Sequence, residues 1–132
     1  MTETLSVYKE DRNGFNAVIA EGYIYKGKKH GFWVEYYSQK SPSDPLRVKA
    51  RGFYENDQKT GTWREYHWNG TLKGIGKYKK DLKAGNWSYF DNKEGFCVSV
   101  INYDGKEAVK LVSVSDKKIT VSPLFKEKTR EQ

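Results

Sequence analysis

A single cysteine, Cys97, is all the thiol this chain has. It leaves no partner for an internal disulfide and too few sulfurs for a zinc cluster, which suits a reducing compartment. Leucine occurs six times and alanine five in 132 residues, so the best apolar helix formers are scarce. The longest uninterrupted apolar run is Ala17–Ala20, far below the roughly 20 residues that a membrane-crossing helix requires. The N-terminal stretch MTETLSVYKEDRNGFN carries acidic and polar residues where a secretion signal needs an apolar segment. Together these absences predict a cytoplasmic protein, and the length predicts one domain, over residues 1–125. No G-x-S-x-G, H-E-x-x-H or C-x-x-C is present, and Gly74-Ile75-Gly76 lacks the downstream spacing of a phosphate loop. The expectation is a non-enzymatic protein with no cofactor and no metal.

Aromatic residues are abundant, at 15% of the chain, although the mean hydropathy is −0.90. Scarce aliphatics with plentiful Tyr, Trp and Phe favour strands, whose pleated surface accommodates large flat side chains. The net charge of +7 raises the expectation of an anionic partner, whether protein, nucleic acid or membrane surface.

Alignment on the tryptophans exposes a threefold repeat. The segments are GYIYKGKKHGFWVEYY (22–37), GFYENDQKTGTWREYH (52–67) and GKYKKDLKAGNWSYFD (76–91). Glycine stands eleven and two residues before each tryptophan: Gly22 and Gly31 before Trp33, Gly52 and Gly61 before Trp63, Gly76 and Gly85 before Trp87. Lys29, Lys59 and Lys83 precede the tryptophans by four, and Tyr36, Tyr66 and Phe90 follow by three. Each unit reads as a hairpin, with Gly27, Asp57 or Asp81 at one turn slot where positive φ is tolerated. The connections read as four to six residues, wider than two-residue turns. The link QKSPSDPLR (39–47) reads as an exposed insertion.

Outside the repeats, residues 6–22 read as a hairpin around Arg12-Asn13-Gly14, and residues 96–116 as two β-rich runs around Asp104-Gly105. KKITVSPLF (117–125) supplies a last strand that Pro123 places at an edge, and 126–132 reads as a flexible basic tail. With no helical period anywhere, the fold class is all-β: a single antiparallel meander of eight to ten short strands.

The pattern G-x-Y-x-x-G-x-x-x-G-x-W-x-x-Y resembles MORN repeats, in particular the bacterial variant with tryptophan after the second glycine. The resemblance covers about residues 20–95, with a degenerate echo at Asn102–Glu107; Asp57 and Asp81 stand where a turn glycine is usual, and Lys77 and Ser88 depart from the pattern. It implies an elongated sheet built of hairpins placed side by side. It also implies an interaction scaffold: bacterial members are often described as antitoxins or immunity partners of secreted toxins, and some members of the family are associated with phospholipids.

The residues themselves suggest where a partner would sit. Tyr36, Arg64, Tyr66 and Trp68, with the 39–47 link, supply the Tyr, Trp and Arg that interface hot spots favour. Positive charge would steer an acidic protein toward them. The second candidate is nucleic acid, held by Lys73, Lys77, Lys79, Lys80 and Lys83 with Tyr78 and Trp87 among them. Against that reading, Glu55, Asp57, Asp81 and Asp91 interrupt any continuous basic stripe. Membrane lipid has the least support, with no amphipathic helix or acylation signal.

Three further features have plain readings. Glu35 and Glu65, each two residues after a tryptophan, would lie about 10 Å apart on alternate strands, beyond the roughly 6.5–9.5 Å of an inverting glycosidase pair. They read as cross-strand partners of Lys or Arg. His30 reads as a solvated turn residue, and Cys97 as a small buried hydrophobe.

Overall fold

In the computed structural model, which describes residues 3–105, 107–115 and 118–122, the described chain is strand and turn without helix. Ten strands run β1 (Thr4–Arg12), β2 (Phe15–Tyr25), β3 (Lys28–Tyr36), β4 (Val48–Glu55) and β5 (Gln58–Tyr66), then β6 (Leu72–Lys79), β7 (Leu82–Phe90), β8 (Cys97–Asn102), β9 (Val109–Ser115) and β10 (Lys118–Val121). They form one antiparallel sheet in chain order, a meander with open edges at β1 and β10. The tail 126–132, Pro123 and the last residues assigned to the final strand lie outside the described residues.

The repeat hairpins are tighter than their polar stretches suggested. Tyr25 pairs with Lys28, Glu55 with Gln58 and Lys79 with Leu82, so each turn has two residues. Both are left-handed in every case: Lys26-Gly27, Asn56-Asp57 and Lys80-Asp81. Consecutive positive φ values match the twist of paired strands, which is why such turns close two-residue hairpins. The polar residues counted as loop are therefore strand ends projecting past the core.

A two-residue turn alone would set the two glycines of each unit opposite one another. Instead the second strand carries two extra residues at Gly31, Gly61 and Gly85, and all three glycines have positive φ. The bulge advances the register so that Trp33 pairs with Gly22. A Cβ built on Gly22, Gly52 or Gly76 would lie only 2.2–2.3 Å from the indole of Trp33, Trp63 or Trp87 respectively. The first glycine of each repeat is thus a seat for the ring, and the second is the bulge that delivers it. Each indole N–H donates to a backbone carbonyl ten residues earlier: Tyr23, Phe53 or Lys77.

The core is a file of rings on one face of the sheet. Trp33, Trp63 and Trp87 are fully buried, and Tyr54 and Tyr78 stand edge-on between them at centroid distances of 5.4–5.8 Å. Edge-to-face contacts suit the ring quadrupoles and let aromatics replace a second layer. Cys97 corrects the expectation of burial: its side chain is exposed at the start of β8, beyond the file of indoles.

Candidate partner-binding surface

Strand alternation divides the sheet into two faces of different chemistry. On β4 the sequence Ala50, Gly52, Tyr54 is buried, whereas Arg51, Phe53 and Glu55 are exposed. Over the second and third repeats the ring-bearing face is occupied by its own contacts. Lys59 Nζ lies 4.5 Å from the Trp63 ring centroid and 3.3 Å from Glu35 Oε1; Lys83 Nζ lies 4.4 Å from Trp87 and 3.2 Å from Glu65 Oε2. The glutamates are therefore cross-strand partners of lysines, each contributed to the next hairpin. The repeat lysines, which stand near the turns in sequence, reach back over the indoles.

The opposite face is open. Arg51 pairs directly with Arg64 across β4 and β5, because the bulge at Gly61 places Arg64 where a plain hairpin would place Thr62. Like charges directly opposite in a sheet repel. Among the described residues neither guanidinium has a carboxylate within 4.0 Å. Around them stand exposed rings: Phe32 and Phe53 pair across β3 and β4 with centroids 6.0 Å apart, and Trp68 is half exposed.

Arg51 lies over the Tyr66 ring at 5.5 Å and Arg47 over the Trp68 ring at 4.8 Å. These four residues, with Leu46 and Val48, line a cleft of about 370 Å³. The 39–47 link reaches this cleft because it is not a loose loop. Gln39 donates to the Asp44 carbonyl, Asp44 accepts from the Lys40 amide, and Tyr37 N–H bonds Arg47 O. Tyr37 also stacks edge-on against Trp68 and donates its hydroxyl to Tyr66 O.

The structure separates the residues singled out from sequence. Arg64, Tyr66 and Trp68 lie on or beside the open face. Tyr36 is half-buried and its hydroxyl donates to Glu21, so that burial first, and the carboxylate second, push its pKa up to about 12. Lys79 and Lys80 are exposed on the β6–β7 hairpin, whereas Lys83 is engaged by Glu65 and by the Tyr89 hydroxyl at 2.9 Å. Trp87 is fully buried and Tyr78 is packed between Trp63 and Trp87, so the rings of the lysine-rich stretch are not free to stack on bases. His67 bonds Phe90 O at 2.7 Å, and His30 approaches Glu3 at 3.7 Å.

Sequence reasoning missed Arg51. Its pairing with Arg64 depends on a bulge two residues wide, which spacing alone did not disclose. The glycine of positive φ two residues before each tryptophan was the available signal. Among the described residues no cluster of metal-ligating side chains occurs, and no helix is long and apolar enough to cross a membrane. No family model, curated protein or solved structure matches the chain, so its own geometry carries the reading that follows.

Proposed function

We propose that this chain is a non-enzymatic protein-binding module that caps an acidic partner with the open face of its sheet. The observation that carries the proposal is the facing pair Arg51 and Arg64, without a carboxylate and flanked by Phe32, Phe53, Tyr66 and Trp68. A pair that repels in the free protein becomes favourable when an acidic group sits between its forks, since arginine grips carboxylates in bidentate fashion. Adjacent rings supply the apolar contact that arginine-centred hot spots use. The MORN resemblance rests on the residue pattern of the three units, and an antitoxin or immunity role is the specific form it suggests.

The test is affinity purification from the native cell at moderate salt, with and without nuclease, comparing the wild type with an Arg51→Glu/Arg64→Glu double variant. A defined protein retained after nuclease, in one-to-one stoichiometry, and lost from a variant with an unchanged β circular dichroism spectrum is the expected result. Loss of all partners on nuclease treatment, with binding that falls steeply as salt rises, would indicate nucleic acid instead.

A further inference from the structure

The ring-bearing face repeats more than its aromatics. One row of residues crosses the sheet in continuous register: Tyr8 opposite Ala20, Ala20 opposite Glu35, Glu35 opposite Ala50, then Ala50 opposite Glu65. Gly74 follows opposite Glu65, and Tyr89 opposite Gly74. Large residues on β1, β3, β5 and β7 thus alternate with small ones on the strands between them. Over each small residue a lysine reaches back to the preceding large one: Lys59 to Glu35 and Lys83 to Glu65.

Lys29 is the first lysine of this series, and its counterpart in the row is Tyr8, not an acid. Its ammonium lies among three rings, 4.9 Å from the centroids of Tyr8 and Trp33 and 5.0 Å from Tyr54. Among the described residues no carboxylate comes within 4.0 Å of it. It borders an open cleft of about 600 Å³ that also collects Lys9 and Lys49. Glu35 reaches the same cleft but is engaged by Lys59. The cleft is therefore lined by three lysines and one carboxylate that is already paired. Tyr8, which would gate it, is 39% exposed.

We propose that the Lys29 cage is a carboxylate-binding site, filled by a glutamate or aspartate side chain of a partner protein as Glu35 and Glu65 fill the two equivalent cages within the chain. The ligand class follows from the repeat: the fold already builds this contact twice, with lysine over an indole and a carboxylate beside it. Aromatic faces hold the ammonium in place but leave its hydrogen-bond donors without a charged acceptor. This assignment rests on the reading of the chain as a binder of acidic proteins, yet it concerns the face opposite Arg51 and Arg64. The two can therefore fail separately.

The experiment titrates the purified chain with a hexaglutamate peptide, following the Trp33 indole N–H and Lys29 side-chain resonances by NMR. Acetate at equal carboxylate concentration is the free-acid arm. Saturable shifts at Lys29, Tyr8 and Trp33 are expected, read separately from any at Arg51 and Arg64 on the opposite face. A charge-assisted hydrogen bond is worth about 1.5–3 kcal/mol, so Lys29→Met should weaken the peptide by roughly ten- to a hundredfold. Tyr8→Glu should do the same for the opposite reason, by supplying the carboxylate in cis, while the sheet stays folded as it does with glutamates in the equivalent slots. Lys93→Met, which removes one exposed charge in the β7–β8 connection, should leave binding at the cage within a factor of about two, as an exposed charge is screened.

Undiminished binding at the Trp33 indole in Tyr8→Glu, or an equal loss there in Lys93→Met, would overturn the site. Acetate saturating as tightly as the peptide would overturn a protein side chain as the source. Each of these results would leave partner capture by Arg51 and Arg64 untouched.

Discussion

At the scale of single residues, the repeat glycines do two different jobs, and they should fail differently. Gly52 has ordinary φ, but a Cβ there meets Trp63 Cδ2 at 2.3 Å, and that indole is 1% exposed. The ring cannot yield without leaving its seat. Gly61 has φ +67 with nothing within 4 Å of a Cβ, so its substitution costs only the left-handed strain. Gly52→Ala should therefore lose about 3 kcal/mol, the upper range for overpacking a filled site. Gly61→Ala should lose about 1–2 kcal/mol. Urea midpoints of the two variants check this ordering, and a smaller loss in Gly52→Ala would contradict the seat. Both kinds of glycine were visible in the sequence as fixed slots. Which one seated a ring and which one bulged was not, because spacing carries no φ.

Hairpins, at the next scale, are joined by an aspartate brace. Asp57 Oδ1 accepts the Lys29 amide at 2.7 Å and Asp81 Oδ1 accepts that of Lys59 at 3.1 Å, while each aspartate's own N–H donates back to the same lysine's carbonyl. At the end of the third unit Asp104 Oδ1 accepts the Gly85 amide at 2.6 Å, and Tyr103 N–H donates to Gly85 O. Aspartate thus stands in the turns for a reason beyond tolerance of positive φ: its carboxylate ties one hairpin to the strand before it. Asp104→Ala removes that acceptor without disturbing a left-handed residue. It should lower stability by about 1–2 kcal/mol, near the value of a hydrogen bond to a charged group. It should also speed hydrogen exchange at the Gly85 amide more than at the Lys59 amide. Equal acceleration at both would argue against a local brace. In the sequence Asp57 and Asp81 looked like departures from the glycine of the repeat, since only the register shows what they face.

Across the whole molecule, half-buried tyrosine hydroxyls make alkaline stability a collective property. Tyr36 and Tyr103 are both pushed up to about 12, each by burial first and then by its hydrogen bond, to Glu21 and Tyr89 respectively. Tyr54 is raised as well, by burial and then by the Glu35 charge. A folded pKa above the unfolded value of 10.0 means that the unfolded chain releases its protons first. Stability is therefore complete below pH 10 and lost as pH rises through about 12. Urea midpoints and tyrosinate absorbance followed together should show delayed tyrosine ionisation and a falling midpoint in that interval. Titration of all ten tyrosines at the ordinary value in folded protein would contradict the buried file.

The sequence by itself determined the strand content and the threefold hairpin with its glycine and tryptophan slots, because period-two alternation and fixed Gly–Trp spacing are properties of the local chain. It also placed Tyr66, Trp68 and the 39–47 link together as candidates, and they meet at one cleft. Only the tertiary structure decided which charges are satisfied. Whether Lys83 finds Glu65, whether Lys29 finds an acid, and whether Arg51 faces Arg64 all depend on cross-strand register. That register turns on a two-residue bulge at a glycine of positive φ, a backbone geometry that spacing alone does not reveal.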